Sequence, residues 1–217
     1  MKMSSTPMKC VICEVRTPRR YCPGVRGEIC SVCCGTEREN TVNCPFDCTY
    51  LREARLREKP PEIDLASIPF ADIRIPARFV DEHPRVAQLV IDALMDAISS
   101  TVGVIDYDVR QALDALIRTY KTLQSGLVYE TRPENPIAAA IYDKMQRAIS
   151  EGRKEIASNS GVSVRDAEIM SMLLIMQRVE YRVNNGRTRG RAFIDSYSQQ
   201  FPADTPPPNP SPSPLIV

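Results

Sequence analysis

Apolar residues recur at helical spacing along the larger part of the chain, from Pro76 onward. Residues 86–100 place their apolar side chains on one face of a helix, and residues 106–126 carry a second stripe of the same kind. Asp106 is predicted to cap the start of the second helix, and Gly126 is predicted to end it. Helices joined by such short connections are typical of a helical bundle.

Three further helices are predicted toward the end of the chain. Asn135 followed by Pro136 is an N-cap with proline at the first helical position, and this helix is expected to end near Gly161. The next helix, at about 166–184, is apolar on almost every side in its middle, which is typical of a helix at the centre of a bundle. A last helix is predicted at 191–201. The predicted fold class is therefore all-α, with a four- to five-helix bundle after a small N-terminal cysteine module.

Prolines mark the predicted boundaries between segments. Pro60 and Pro61 end a polar helix, and the proline-bounded stretch up to Pro76 is predicted to be a linker. The last residues are again rich in proline and are expected to be extended and disordered. The predicted organisation is a disordered start at 1–9, a zinc-binding module with a trailing helix at 10–59, a linker at 60–76, the bundle at 77–201 and a disordered tail at 202–217.

All eight cysteines lie within residues 10–48. Two Cys-x-x-Cys pairs, Cys10/Cys13 and Cys30/Cys33, are about twenty residues apart, a spacing typical of one closed zinc site. Each pair places two thiolates on one tight turn, so two pairs supply the four ligands of a tetrahedron. These four residues are the first predicted metal site.

The other four cysteines are sufficient for a second site. Adjacent residues in an extended chain point to opposite sides, so Cys34 is expected to serve a different ion from its neighbour Cys33. Cys44 and Cys48 are four residues apart, as ligands at the first turn of a helix would be. The second predicted set is Cys22, Cys34, Cys44 and Cys48, and the predicted cofactors are two zinc ions.

Clustered cysteines have alternative uses. An iron–sulfur cluster, a redox-active set of thiols and a set of disulfides are the alternatives to structural zinc. The first nine residues hold no apolar signal segment, and no apolar run approaches the length of a membrane span. The expected location is therefore the cytoplasm, where a reducing environment keeps thiols available for metal. Structural zinc is the favoured interpretation.

The module resembles B-box and HIT-type zinc fingers, which share an opening Cys-x-x-Cys, a Tyr-Cys pair (here ending at Cys22) and a later Cys-Ser motif (here beginning at Cys30). The resemblance covers residues 10–48 and implies an interleaved, cross-braced pair of metal sites. It departs from those families at the final ligand positions, which hold no histidine, and at the Cys33-Cys34 doublet. Through the stretches CSVCCGTERE and NNGRTRGRAFID, the whole chain is also similar to an uncharacterised bacterial protein family, which implies a compartment and no mechanism.

Overall charge does not indicate a binder of polyanions, because the formal net charge is +1. The basic run RVNNGRTRGR is nevertheless the strongest signal outside the cysteines. Its asparagines and glycines predict a turn with exposed backbone N–H groups, a geometry that accepts phosphate. The favoured alternative is a helix C-terminus whose arginines complement the helix dipole, followed by an ordinary loop. The candidate anion-binding residues are Arg182, Arg187, Arg189 and Arg191.

Few residues are available for acid–base chemistry. The single histidine, His83, precedes a proline and has no cysteine or acidic cluster nearby, which favours a surface or capping position. Asp92 and Asp96 lie one helical turn apart beside an apolar stripe and are expected to be solvated. A catalytic triad with histidine could be built only through His83, and catalytic zinc usually needs histidine ligands and an open position. The sequence therefore predicts a protein that is not an enzyme.

The predicted function is that of a zinc-binding cytoplasmic adaptor that engages a protein partner, with RNA as the less favoured partner. The arginines on the loops between cysteines are the candidate contacts; they are Arg16, Arg19, Arg20 and Arg26. The alternative function is a thiol-based redox or metal sensor that releases zinc on oxidation. No association with a membrane is expected.

Overall fold

The computed structural model describes residues 8–59, 62–126 and 130–200. Within these ranges the chain is mostly helical, and its strands form one small antiparallel hairpin. The strands are β1 (Arg20–Cys22) and β2 (Gly27–Ile29). The α-helices are α1 (Ser31–Glu37), α2 (Thr49–Arg55), α3 (Phe79–Glu82), α4 (Pro84–Ser99), α5 (Asp106–Gln124), α6 (Pro136–Ser160), α7 (Asp166–Val183) and α8 (Ala192–Gln200). The stretches predicted to be disordered, 1–9 and 202–217, lie outside the described residues except for residues 8 and 9.

Helices α4 to α7 form the bundle. α5 packs against α6 and α7, and α4 packs against the same two helices. The middle of α7 is buried on most sides, because Leu173 and Leu174 are fully buried and Met170, Met172 and Met176 lie in the same core. The helical bundle predicted from the apolar stripes is therefore confirmed. α8 packs against α5 and α7 at one end.

Both predicted ends of α6 are confirmed. The side chain of Asn135 accepts hydrogen bonds from the backbone N–H groups of Ile137 (2.9 Å) and Ala138 (3.5 Å), and Pro136 occupies the first helical position. Gly161 ends the helix with a φ of 67°, a left-handed conformation that glycine adopts without strain. These caps satisfy backbone groups that a helix end otherwise leaves without partners.

Asp106 caps a helix other than the one predicted. α5 begins at Asp106, so the predicted start is close, but the carboxylate accepts hydrogen bonds from the N–H groups of Phe193 (3.0 Å) and Ile194 (3.1 Å) at the start of α8. Asp106 is only 1% exposed. Its N-capping bonds therefore join two helices that are distant in sequence, and they hold α8 against the bundle.

Part of the linker predicted at 60–76 packs on the bundle. A single 3-10 turn spans Leu65–Ser67, and Ile68 after it is buried. Ile73 packs against the bundle core, and the guanidinium of Arg178 on α7 donates a 2.6 Å hydrogen bond to the carbonyl of Ile73. This half of the linker therefore contributes to the packing of the bundle, while the domain boundary itself stays a prediction.

The cysteine-containing part, here termed the cysteine module (residues 10–59), has a small core of its own. The buried apolar side chains other than cysteine are those of Ile29, Val42 and Leu51. The trailing helix is shorter than expected, because α2 ends at Arg55. Three aliphatic side chains bury little apolar surface for a segment of this length.

Candidate metal centre

The first Cys-x-x-Cys pair lies on a tight turn that is tied to the hairpin. The N–H of Glu14 donates a 2.8 Å hydrogen bond to the carbonyl of Cys10, which closes the turn around Cys13. The N–H of Val11 donates a 3.0 Å hydrogen bond to the carbonyl of Glu28 in β2. The turn therefore holds both cysteines of the pair beside the hairpin.

The second pair lies at the start of α1. Cys30 is the N-cap residue, and its Sγ accepts a hydrogen bond from the N–H of Cys33 at 3.4 Å. The sulfur thus takes the place of the oxygen that usually caps a helix. β2 ends at Ile29, so the hairpin leads directly into the site.

The sulfur atoms of the first predicted set gather in one place. Cys10, Cys13, Cys30 and Cys33 bring their Sγ atoms within 4.8 Å of one another. A tetrahedron of zinc–sulfur bonds of about 2.3 Å needs sulfur–sulfur distances of about 3.8 Å. Cys13 is half-buried and the other three are buried, so little of the site is open to solvent. This arrangement fits a closed, four-coordinate metal site.

Neighbouring groups shift the protonation of these thiols in opposite directions. Burial raises the pKa of Cys10, but hydrogen bonds from the backbone of Cys13, Cys30 and Ile12 outweigh it and bring the pKa to about 6. Burial and hydrogen bonds with the other three thiols raise the pKa of Cys33. One thiolate therefore forms readily, and its charge disfavours the next, an opposition that a bound divalent cation would remove.

A guanidinium accompanies the first set. A side-chain hydrogen bond to Cys30 and the charges of Cys13 and Cys30 raise the pKa of Arg16. Four thiolates around one divalent ion keep a net negative charge, so a nearby cation lowers the electrostatic cost of assembling them. Arg16, predicted from the sequence as a partner contact, therefore lies against the metal site.

The second predicted set borders a single small cavity of about 20 Å³. Gly24 lies in the turn after Cys22, and a Cβ there would lie 2.7 Å from the carbonyl oxygen of Asn43, so the close approach of these two segments requires glycine. Cys48 is the N-cap residue of α2, in agreement with the predicted start of a helix. The cysteines that border the cavity are Cys22, Cys34, Cys44 and Cys48.

Cys34 receives two guanidinium groups. Nη1 of Arg20 and Nη2 of Arg38 donate to its Sγ at 3.8 Å and 3.9 Å. Arg20 is also held over the ring of Tyr50, 3.8 Å from the ring centroid. Among the described residues, however, only the first set brings its ligand atoms within 4.8 Å of one another, so the second site stays a prediction.

The Cys33-Cys34 doublet lies in a helix and not in extended chain. Both residues belong to α1, where successive side chains are about 100° apart around the axis. Cys33 turns toward the first set, and Cys34 borders the cavity of the second. The doublet is divided as predicted, but the physical reason is helical geometry.

Two of the four predicted anion-binding arginines are engaged by the cysteine module. The guanidinium of Arg187 donates to the carbonyl of Arg38 at 2.7 Å and pairs with Glu58 at 3.0 Å. The guanidinium of Arg191 donates to the carbonyl of Cys44. The loop between α7 and α8 therefore lies directly against the module, beside one cysteine of the second set.

Arg191 is held on several sides. Its guanidinium lies over the ring of Phe46, 4.1 Å from the centroid, and burial lowers the pKa of Arg191 while the charge of Glu39 opposes that shift. The N–H of Arg189 donates to the carbonyl of Glu39 at 2.7 Å, and the N–H of Arg191 donates to its carboxylate at 3.1 Å. These N–H groups are thus occupied within the protein. The side chains of Arg182 and Arg189 are exposed, and their part in anion binding stays a prediction.

Glu39 connects the module to the bundle. It is 1% exposed, and its carboxylate accepts hydrogen bonds from Arg55 (2.6 Å), the side-chain amide of Asn185 (2.9 Å) and the N–H of Arg191. Arg55 also pairs with Asp195 on α8. No sequence pattern singles out Glu39, because its partners lie between 16 and 152 positions away.

The remaining polar candidates have the structural roles expected of them. His83 precedes α4, its ring lies 4.6 Å from that of Phe79, and its Nδ1 lies 3.7 Å from the carboxylate of Glu168. Asp92 and Asp96 are exposed on α4. None of these three polar residues lies among the cysteines that form the candidate metal centre.

No protein-family model, curated protein or solved structure matches the chain. Within the ranges that the structure covers, no helix combines the length and the apolar character needed to span a membrane.

Proposed function

We propose that the chain is a non-catalytic, zinc-binding interaction protein of the cytoplasm, in which two four-cysteine sites shape a surface for a protein partner. The observation that carries the proposal is the gathering of the four Sγ atoms of Cys10, Cys13, Cys30 and Cys33 within 4.8 Å. Four sulfur ligands around a closed position are typical of structural zinc, whereas catalytic zinc keeps one position open to water.

The second zinc ion belongs to the cavity that the other four cysteines border. A volume of about 20 Å³ suits one small ion and excludes a larger ligand. Arg20 and Arg38 place two guanidinium groups at the sulfur of Cys34 beside this cavity, where they would offset part of the negative charge of a four-sulfur metal site. Each site then has its own guanidinium groups, since Arg16 accompanies the first.

Metal binding supplies the folding free energy that the small core of the module lacks. A structural zinc site in a short segment contributes on the order of 10 kcal/mol. The metals would fix α1 and α2, and Glu39 and Arg55 would transmit that order to Asp195 on α8. The surface formed jointly by the module and the end of the bundle is therefore the part of the molecule that zinc controls.

A protein partner is favoured over RNA because several of the arginines are already engaged within the chain. Arg20 lies against the sulfur of Cys34, and Arg187 and Arg191 bind carbonyl groups of the module. Binding RNA by counterion release requires cations that face solvent. Catalysis is not part of the proposal, because His83 contacts residues of the bundle and no cysteine.

The test is affinity capture from native lysate with the full tagged chain as bait, in three states: as purified, after chelation, and after chelation followed by zinc. We expect a protein that is recovered in near-stoichiometric amount with the first and third states and lost with the second. Recovery equal to that of the tag alone in every state would overturn the proposal. Recovery that disappears on nuclease treatment would assign RNA as the partner.

Peroxide separates the proposed function from the sensor. Because the thiolates are mostly buried and bound in closed sites, we expect zinc to stay bound and the partner to remain captured under mild oxidation. A redox sensor would instead lose zinc rapidly under peroxide and release its partner at the same time. A thiol reductant would then restore both zinc and partner binding.

A further inference from the structure

A cavity of about 510 Å³ lies where α2 meets the end of α7 and α8. Its volume is within the range of sites that bind ligands or side chains of a partner. It is here termed the α2–α8 groove. Its lining includes Arg52, Leu56, Lys59, Arg182, Val183 and Ala192.

The groove has an apolar wall that the fold leaves uncovered. Leu56, directly after α2, is 88% exposed. Single exposed leucines are common, but this one borders the same cavity as Val183 and Ala192, which are only half-buried. An apolar side chain from another molecule would therefore find aliphatic contacts on both sides of the groove.

The acidic side chains of the groove are already neutralised. Glu58 pairs with Arg187 at 3.0 Å, and Asp195 pairs with Arg55. Arg55 is in turn bound to the buried Glu39 at 2.6 Å. Among the described residues that line the groove, every carboxylate therefore has a cationic partner.

Three cationic side chains of the groove, other than Arg55, have no such partner among the described residues. Among the described residues, Arg52, Lys59 and Arg182 form no ion pair, and all three are exposed. Arg52 directs its Nε to the carbonyl of Phe46 at 3.3 Å, which leaves its other donors available. The groove therefore presents an apolar wall and an excess of positive charge.

We propose that the α2–α8 groove binds a short, acidic, amphipathic segment of the partner protein. An apolar side chain of that segment packs on Leu56 and Val183, and its carboxylates face Arg52, Lys59 and Arg182. No aromatic side chain lines the groove among the described residues, which disfavours nucleic acid because bases need rings on which to stack. The inference rests on the proposed interaction function and names the chemistry of its partner.

Binding to the groove depends on the metal sites by the same contacts. α2 forms one wall, and its position is fixed by Arg55 through Glu39 on the module side and Asp195 on the bundle side. Loss of zinc would release α2 and separate the two walls. Partner binding and zinc binding are thus expected to be coupled.

The experiment is a titration of the full, zinc-loaded, ¹⁵N-labelled chain with a synthetic peptide in which leucines recur at i, i+3 and i+4 and the other positions are glutamate. We expect amide shift changes confined to α2, the end of α7 and α8, with saturable binding. Lys59→Glu and Arg182→Glu should each weaken binding roughly tenfold. Leu56→Ala should weaken it roughly threefold or more.

Matched variants test the location. Arg147→Glu makes the same charge change at an exposed position on α6, and Val102→Ala shortens a side chain that is 94% exposed outside the groove; both should bind as the wild type does. The proposal would be overturned by shift changes spread over all basic surfaces, or by equal losses of peptide affinity in Arg147→Glu and Lys59→Glu. Preferential binding of single-stranded RNA would also overturn it, as would self-association of the chain through the groove. If the variants Lys59→Glu and Arg182→Glu capture the partner from lysate as well as the wild type does, the groove is not the binding site, but the proposed interaction function stands.

Discussion

The carboxylate of Glu39 and the guanidinium of Arg55 form an ion pair at 2.6 Å whose side chains are 1% and 14% exposed. Glu39 follows α1 and Arg55 ends α2, so the pair lies inside the cysteine module. Arg55 also binds Asp195 on α8, and Asn185 donates to Glu39, so the same pair takes part in the contact between module and bundle. The order of the cysteine module and the order of α8 are therefore linked.

Replacing Glu39 with alanine tests this link. The change removes one of the two carboxylates that bind Arg55 and the acceptor of the side-chain amide of Asn185. Removing one partner of a buried ion pair costs about 3–5 kcal/mol. We expect a loss of about 3 kcal/mol in the free energy of unfolding, measured by urea denaturation of the zinc-loaded chain, since Arg55 keeps Asp195. Glu53→Ala, at an exposed position on α2, should change it by less than about 0.5 kcal/mol. Equal effects of the two variants would contradict the role of Glu39.

Removal of zinc should loosen the module and the α8 end but not the bundle. The bundle core is formed by α4 to α7, and the small core of the module is separate from it. After chelation we expect amide hydrogen exchange to become fast in 10–59, in the loop at 184–191 and in α8, and to remain slow in α5 and α7. Restoring zinc should restore slow exchange. Loss of protection throughout the bundle would mean that the two parts fold as a single unit.

Asp106 predicts a pH dependence of stability. Burial raises the pKa of Asp106 to about 7; the N–H groups of Phe193 and Ile194 oppose this shift, and the charges of Glu180 and Glu39 add to it. In the unfolded chain the pKa of the carboxyl is about 3.9. Between the two pKa values the folded protein keeps a proton that the unfolded chain has lost, so the free energy of unfolding falls as pH rises through this window. The total fall is up to about 4 kcal/mol, and this contribution is constant at higher pH.

The variant Asp106→Asn isolates the ionisation, because an amide does not titrate. Its one oxygen can accept only one of the two hydrogen bonds, which Asp106 accepts with separate carboxylate oxygens, so the informative quantity is how the difference from the wild type changes with pH. We expect the difference in free energy of unfolding between the variant and the wild type to become more favourable to the variant by about 2–3 kcal/mol from about pH 5 to about pH 8. Urea denaturation at the two pH values measures this difference. Asp92→Asn, at an exposed position on α4, should give the same difference from the wild type at both values. A difference that does not change with pH for Asp106→Asn would show that this carboxyl is ionised throughout.

Replacing Cys34 with serine should cost one zinc ion and spare the other. Cys34 borders the cavity of the second set, whereas Cys33 beside it belongs to the first. Elemental analysis of the purified variant is expected to give close to half the zinc of the wild type. Gly35→Ala on the same helix should keep the full amount, since a Cβ there meets nothing within 4 Å. Loss of both ions from Cys34→Ser would show that the two sites form only together.

The local parts of the structure could be predicted from the sequence because their causes are local. The N-cap at Asn135 and the helix end at Gly161 follow from the residue types at those positions. The gathering of Cys10 with Cys33 follows from two tight turns that each hold two ligands. The apolar stripes of α4 to α7 likewise predict a helical bundle, because each stripe is a property of one helix alone.

The contacts between distant segments could not be predicted in this way. Nothing near Asp106 indicates that its carboxylate caps α8, and nothing near Glu39 indicates that it binds Arg55 and Asn185. The basic run containing Arg187 has the composition of an anion site, but its composition does not reveal that carbonyl groups of the module take up its donors. Such partners are determined by tertiary packing, which a single sequence does not display.

The zinc content of the full chain, purified without added metal, tests the proposed pair of zinc sites most directly. Elemental analysis combined with quantitation of protein is expected to give close to two zinc ions per chain, with no absorbance in the visible range, because eight thiolates in two closed sets are typical ligands of structural zinc. A value near one would leave the first set as the only site. Iron with visible absorbance, or free thiols without metal, would contradict the central claim.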